Sequence, residues 1–273
     1  MSSTETVIGF VGGGNMASAM MKGLLSNGYP AEKILVAETS KEKSAELSKC
    51  LGVRVTDNLN TLVVQSETII LAVKPQVIDT VTQDIASSGK HVGKLFISVA
   101  AGVKTIQIAS ILGEDTAVVR LMPNMPALIG QGMSGLYANS HTSTPQKRKS
   151  LMIAESFGDC VEVTDENDIN TITALSGSGP AYFFLMFENM VQAGIELGLS
   201  EQSAHKLACF TALGSAKMAQ GSSFKPAELR QQVTSKGGTT ESAINYFEQN
   251  GFPSIVRGAV KAAYSRSVEL SQS

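Results

Sequence analysis

The sequence predicts an α/β protein in two parts: a doubly wound, mostly parallel sheet over residues 1–164 and an all-helical part over residues 165–273. Three observations carry this. Short β-branched runs alternate with helical stretches through the first half. A glycine-rich turn joins the first run to the first helix. Near Asp165 the alternation stops, and every later apolar stretch has helical spacing. Strands that alternate with helices need crossover connections, which build a parallel sheet covered on both faces.

In chain order the strand runs are TVIGFVG, KILVAE, VRVT, TIILAV, KLFISVA and AVVRLMP. Between the first two, NMASAMMKGLLSNG reads as a helix with Gly28 just past its C-cap. A glycine-rich, hairpin-like segment spans Ile129 to Asn139, and the sheet regime runs to about Val163. PAYFFLMFENMVQAGIELGL, SEQSAHKLACFTALGSAKMAQG, PAELRQQVT, TTESAINYFEQNG and SIVRGAVKAAYSRSVELSQ then read as helices. Their long apolar faces suit a bundle that also buries against another subunit. The most apolar stretch, Ala181 to Leu199, contains Glu188 and Glu196 and so reads as a buried helix of a soluble domain rather than a membrane span.

The 273 residues are 43% hydrophobic and 17% charged, the profile of a soluble globular chain long enough for more than one core. A formal net charge of -2 counts against nucleic-acid or polybasic membrane binding. The start, MSSTETVIGF, lacks the basic region of a secretory signal. Cys50, Cys160 and Cys209 are odd in number, and neither they nor His91, His141 and His205 have metal-ligand spacing. The expectation is a reduced, cytoplasmic protein with no metal site.

The turn after the first strand, VIGFVGGGNMASAM, fits G-x-G-x-x-A with Gly12, Gly14 and Ala17. Gly12 permits the tight turn, Gly14 lets backbone approach a pyrophosphate, and Ala17 allows close helix–strand packing. Alone the motif is a common glycine-rich turn; in strand–turn–helix context it predicts a Rossmann-type dinucleotide site. Glu38 ends the second strand, where an acid accepts hydrogen bonds from an adenosine ribose and repels a 2′-phosphate, leaning the choice toward NADH. The alternative is an exposed turn carboxylate. Two further strand-end loops, AVKP (Ala72, Val73, Lys74, Pro75) and VAAG (Val99, Ala100, Ala101, Gly102), offer small residues on which a flat cofactor can lie.

GFVGGGNM, AVKP, SVAAG, RLMPNMPA, LSGSGPAY and VTSKGGTT, in this order, resemble the pyrroline-5-carboxylate reductases along nearly the whole chain. The last two motifs are the specific ones. The resemblance implies an N-terminal Rossmann-type doubly wound parallel sheet with a C-terminal all-helical dimerisation domain, and dimers or multiples of dimers. It implies reduction of 1-pyrroline-5-carboxylate to L-proline with NADPH or NADH, at a site between the two domains to which the partner subunit contributes. By position it assigns cofactor contacts to Gly12, Gly14, Asn15, Met16, Asn58, Ala72 to Pro75 and Ala100 to Gly102, with Asn124 a weaker candidate near the nicotinamide. It assigns the substrate carboxylate to Ser235, Gly238, Thr239 and Thr240, and a weaker acidic contact to Glu166. A glutamate of some relatives is Ser223 here, so that contact is expected to be absent. The residues around Glu38 depart from the Ser or Asn-Arg of NADP-preferring members.

Elementary chemistry gives the SKGGTT stretch the same role. Glycines let successive amide N–H groups converge, and a helix start adds the positive end of its dipole, so a carboxylate is held without a cationic side chain. An N-cap by Thr239 or Thr240 is the plainer reading, and the two can coexist. Thr240 is the catalytic candidate, through a hydrogen bond to the imine nitrogen; the alternative is a structural helix-start threonine. Gly177 and Gly179 of SGSGPAY allow either close approach to the cofactor or plain helix packing, and Tyr182, among Phe183, Phe184 and Phe187, reads as a core residue. Two rivals remain. β-Hydroxyacid dehydrogenases place a lysine four residues after the last glycine of GSG, a position that is Phe183 here. A regulatory nucleotide-binding protein would have no need of a second small-anion site.

Overall fold

The apolar runs of the first half become strands because residues of both parities find a core. In the computed structural model, which describes residues 6–272, the first half runs β1 (Ile8–Val11), α1 (Asn15–Ser26), β2 (Ile34–Ala37), α2 (Lys41–Leu51), β3 (Arg54–Thr56), α3 (Leu59–Gln65), β4 (Thr68–Leu71), α4 (Ile78–Ser87), β5 (Leu95–Ser98), α5 (Thr105–Leu112) and β6 (Ala117–Met122). Then follow β7 (Gly132–Ala138), α6 (Thr144–Glu155), β8 (Gly158–Val163) and α7 (Asp168–Ile172). The strand order is β3-β2-β1-β4-β5-β6-β7-β8, parallel except for the antiparallel β6–β7 pair.

Alternate residues feed two cores. Ile8, Phe10, Ile34, Val36, Ile70, Leu95, Ile97, Val119 and Leu121 join one; Leu35, Ile69, Leu71, Phe96 and Val118 join the other. This two-sided burial is what a doubly wound sheet requires. Arg120 lies on the same parity as Val118, is only 2% exposed, and replaces hydrocarbon where the pattern expects it. All six predicted strands form, and the hairpin-like segment yields β7, antiparallel to β6. The unpredicted strand is β8, the sheet's last, with Asp159 and Glu162 exposed.

Cys160 of β8 has its thiol pushed up to about 12 by burial and by the charges of Glu155, Asp159 and Glu162. A thiol so protonated is a poor nucleophile. Thiol labelling of the native protein is therefore expected to modify exposed Cys50 and spare Cys160; equal rates would show that β8 opens readily.

One compact unit runs to Ser178 and takes in the chain again from Ala263; the other is Gly179–Ala262. α7, beyond the predicted boundary at 164, buries Ile169 and Asn170 within the sheet unit. A π-helical turn, Thr173–Gly177, follows it, closed by Ser178 N–H donating to Thr173 O at 2.8 Å. The remaining helices are α8 (Gly179–Glu196), α9 (Glu201–Gly221), α10 (Pro226–Gln232), α11 (Thr239–Gln249) and α12 (Phe252–Leu270). α9 starts on the Ser200 side chain, which accepts from Ser203 N–H.

The expectation of a buried helix over 181–199 is corrected: Phe183, Phe184 and Leu185 are 64%, 57% and 61% exposed, and Tyr182 is only half-buried. The chain alone does not cover this apolar face, and a contiguous exposed apolar face is the kind of surface that proteins use for association. Among the described residues no helix is long and apolar enough to cross a membrane.

Candidate functional site

The site begins where β1 stops. Gly12 has φ +96°, a conformation that L side chains rarely adopt, and a Cβ there would lie 2.8 Å from Ala72 O. Its N–H donates to Ala37 O at 2.9 Å, tying the turn to the end of β2. Gly14 is the N-cap of α1, and a Cβ built on it would meet nothing within 4 Å. No side chain caps α1 and no acid stands in its first turn. The first-turn amides of Asn15, Met16 and Ala17 are therefore left without a capping side chain at the positive end of a helix, a cradle that fits the pyrophosphate of a dinucleotide.

Glu38 is no free turn carboxylate. Its Oε2 accepts from Gly13 N–H at 3.0 Å and its Oε1 from Ser40 N–H at 2.9 Å. Burial works to raise its pKa, but the amides of Ser40 and Gly13 and the charge of Lys43 outweigh it and hold the group below its ordinary value. One ionised side chain thus braces the glycine turn and carries negative charge at the end of β2.

The strand-end loops lie in the same sheet unit. After β4, Ala72 N–H donates to Val11 O at 2.9 Å and Lys74 caps a short 3-10 turn beginning at Pro75. After β5, Ala100 N–H donates to Ser98 Oγ at 3.3 Å, and Gly102 turns the chain toward α5. Asn58 caps α3 by accepting from Thr61 N–H at 3.0 Å, beside a cleft of about 520 Å³ that it lines with Asp57 and Asp84. Asn124 uses both ends of its buried amide within the protein: Nδ2 donates to Ser176 O at 3.1 Å, and Oδ1 accepts from Met133 N–H at 2.9 Å. Glu166, expected near substrate, instead accepts from Thr105 N–H and Thr105 Oγ1, each at 2.8 Å, and pairs with Arg120 Nη1 at 3.4 Å. Sequence reasoning missed both partners. An arginine inside AVVRLMP looks like a strand-end polar residue, and nothing local points 46 residues ahead.

In the helical unit, SKGGTT forms the start of α11. Gly237 has φ +73°. Gly238 is the N-cap, with no capping side chain, and its N–H donates to Ser235 O at 3.0 Å. The alternative reading, an N-cap by Thr239 or Thr240, does not hold, because they occupy the first two positions of the helix. Glu241 Oε2 accepts from Gly237 N–H at 2.7 Å, so one carboxylate already uses this turn. The amides of Thr239, Thr240 and Glu241 are the first-turn donors that an α-helix leaves unpaired. Thr239 is exposed and Thr240 half-buried. In SGSG, a Cβ on Gly177 would come within 3.0 Å of Met122 Cε, while one on Gly179 would meet nothing within 4 Å, so only Gly177 marks a close approach within its unit.

Residues 166–270 match the family model described as pyrroline-5-carboxylate reductase dimerisation, and residues 7–102 match that described as NADP oxidoreductase coenzyme F420-dependent. The chain is 42% identical over 265 residues to a pyrroline-5-carboxylate reductase of Pseudomonas aeruginosa, covering 97% of each protein. A solved pyrroline-5-carboxylate reductase from Coxiella burnetii superposes with a TM-score of 0.93 at 38% identity, covering 98% of this chain and 99% of that one. A pyrroline carboxylate reductase of Plasmodium falciparum, solved with NADP bound, gives 0.87 at 28% identity, with 98% of each chain covered. With full-length identity at this level, the chain belongs to the pyrroline-5-carboxylate reductase family.

Proposed function

We propose that the protein reduces 1-pyrroline-5-carboxylate to L-proline with NADH or NADPH, the last step of proline biosynthesis, acting in the cytoplasm as a dimer or a multiple of dimers. Gly12, Gly14, Asn15 and Met16 hold the pyrophosphate; Glu38 and Asn58 serve the adenosine end; the loops at Ala72, Val73, Lys74 and Pro75 and at Ala100, Ala101 and Gly102 support the rest. When bound, the reduced nicotinamide supplies a hydride. The observation that carries the substrate half is the start of α11, where three unpaired amides follow a glycine cap with no capping side chain. Ser235, Gly238, Thr239 and Thr240 there orient the ring by its carboxylate.

The chemistry asks little acid–base power of the protein. A protonated imine is already electrophilic: hydride adds to carbon, the C=N pair moves onto nitrogen, and the nitrogen keeps its proton. Binding and orientation then supply most of the acceleration. Thr240 holds the ring nitrogen by its hydroxyl. Phe183, at the place of the dehydrogenase lysine, offers no proton partner for alcohol chemistry.

Loss of reduced-nicotinamide absorbance on adding the cyclic imine, with proline as product, tests the reading. Oxidation of cofactor with a β-hydroxyacid pair and none with the imine would overturn it. Within the nest, Gly238→Val is expected to raise the imine KM about tenfold, one amide hydrogen bond to a carboxylate, because its Cβ would press on Ser235 O at 3.1 Å. An unchanged KM would place the carboxylate elsewhere.

A further inference from the structure

We propose that Glu166 is a positioning residue that fixes the cofactor loop after β5 by capping α5 from a distance. α5 lacks a local cap: its N-cap is Lys104, whose side chain makes no capping hydrogen bond. The missing acceptor comes from 61 residues away, where Oε1 of Glu166 takes Thr105 N–H and Oε2 takes Thr105 Oγ1, both at 2.8 Å. A carboxylate at a helix N-terminus is favoured both by the unpaired amide and by the dipole.

Glu166 is itself held. Arg120 is among the largest fully buried side chains of the protein, with Nη1 3.4 Å from Glu166 Oε1 and Nη2 without a hydrogen-bond partner among the described residues. A buried guanidinium with so few partners depends on the one anion beside it. Tyr137, paired with Arg120 across β6–β7, has its hydroxyl pushed up by burial and by the negative charges of Glu166 and Asp165. On its other side the loop meets the C-terminal turn of α12: a Cβ on Gly102 would lie 2.7 Å from Leu270 O. That turn is pinned to α7, just after Glu166, by buried Ser267 Oγ donating to Asn170 Oδ1 at 2.8 Å. The loop over residues 99–104 is thus gripped at Thr105 and at Gly102 by segments that lie beyond β8 in the chain. With both carboxylate oxygens engaged, Glu166 acts on the cofactor through the loop rather than on the substrate.

The inference rests on the dinucleotide half of the proposed function and needs no imine chemistry for its test. NADH binding to the full-length protein is measured by calorimetry for Thr105→Val, Thr105→Ser and Glu166→Gln, and the imine KM is measured alongside. Thr105→Val, which removes the hydroxyl bond to Glu166 and leaves the amide one, and Glu166→Gln, which keeps one acceptor and loses the charge, are each expected to weaken NADH about five- to tenfold, the effect of one lost hydrogen bond, with the imine KM unchanged. Thr105→Ser, which keeps the hydroxyl, is expected to bind as the parent does. A rise in imine KM with NADH binding intact would make Glu166 a substrate contact and overturn the proposal. Parent-like NADH binding in Thr105→Val would overturn it too, even where Glu166→Gln fails to fold. Absence of both NADH and NADPH binding by the parent protein would instead remove the dinucleotide reading itself.

Discussion

Thr240→Ala is expected to lower turnover of 1-pyrroline-5-carboxylate by about ten- to a hundredfold, the effect of one hydrogen bond to a charged group, while NADH affinity stays at the parent value. The expectation follows from position. Thr240 is the second residue of α11, half-buried and free of any capping duty, because Gly238 starts the helix without a side-chain bond. Its hydroxyl is available to a ligand, and its amide is one of three unpaired donors at that turn. A methyl in place of the hydroxyl leaves the amides intact, so the carboxylate should still bind and KM should move less than kcat. Thr240→Ser restores the hydroxyl and should recover most of the rate. If kcat is unchanged in Thr240→Ala, the imine nitrogen is held by another group; if KM alone rises, Thr240 anchors the substrate and takes no part in orienting the reacting bond.

The sheet was legible because its strands are short and doubly apolar and because each ends in a turn with its own composition. The helices of the second half were legible from length and spacing. What escaped has a physical reason in each case. β8 carries Asp159 and Glu162 on opposite faces, so neither face keeps an unbroken apolar signal. The π turn at Thr173–Gly177 differs from an α-helix by one hydrogen-bond step, and no residue type announces it. The apolar face of α8 reads the same whether or not its own chain covers it, and Phe183 and Phe184 are exposed in the chain alone. The tight turn at Gly12 and the place of Glu38 after β2 were readable from motif and strand end. The Thr105–Glu166–Arg120 group was not, since it joins three elements whose only common property is where the fold puts them.

Glu38→Gln is expected to shift the ratio of kcat/KM for NADPH over NADH about thirtyfold toward NADPH, corresponding to about 2 kcal/mol of like-charge repulsion at the effective dielectric of a protein surface. Glutamine is the informative substitution. Serine would remove the charge but also the oxygens that Gly13 and Ser40 donate to, so the glycine turn would loosen and both cofactors would bind less well. Glutamine removes the charge and keeps one of the two acceptors, so the turn is loosened less than by serine. Because Glu38 is held below its ordinary pKa in the fold, it is ionised in the parent throughout the neutral range, and the cofactor ratio should be flat there. Its contribution to stability has the same sign. A carboxylate with a depressed folded pKa stabilises above its unfolded pKa, and that stabilisation is lost as pH falls through the folded value. The parent should therefore lose more melting temperature on the acid side than Glu38→Gln does. A cofactor ratio unmoved by Glu38→Gln, with that acid-side difference still present, would confine Glu38 to bracing the turn and take it out of ribose recognition.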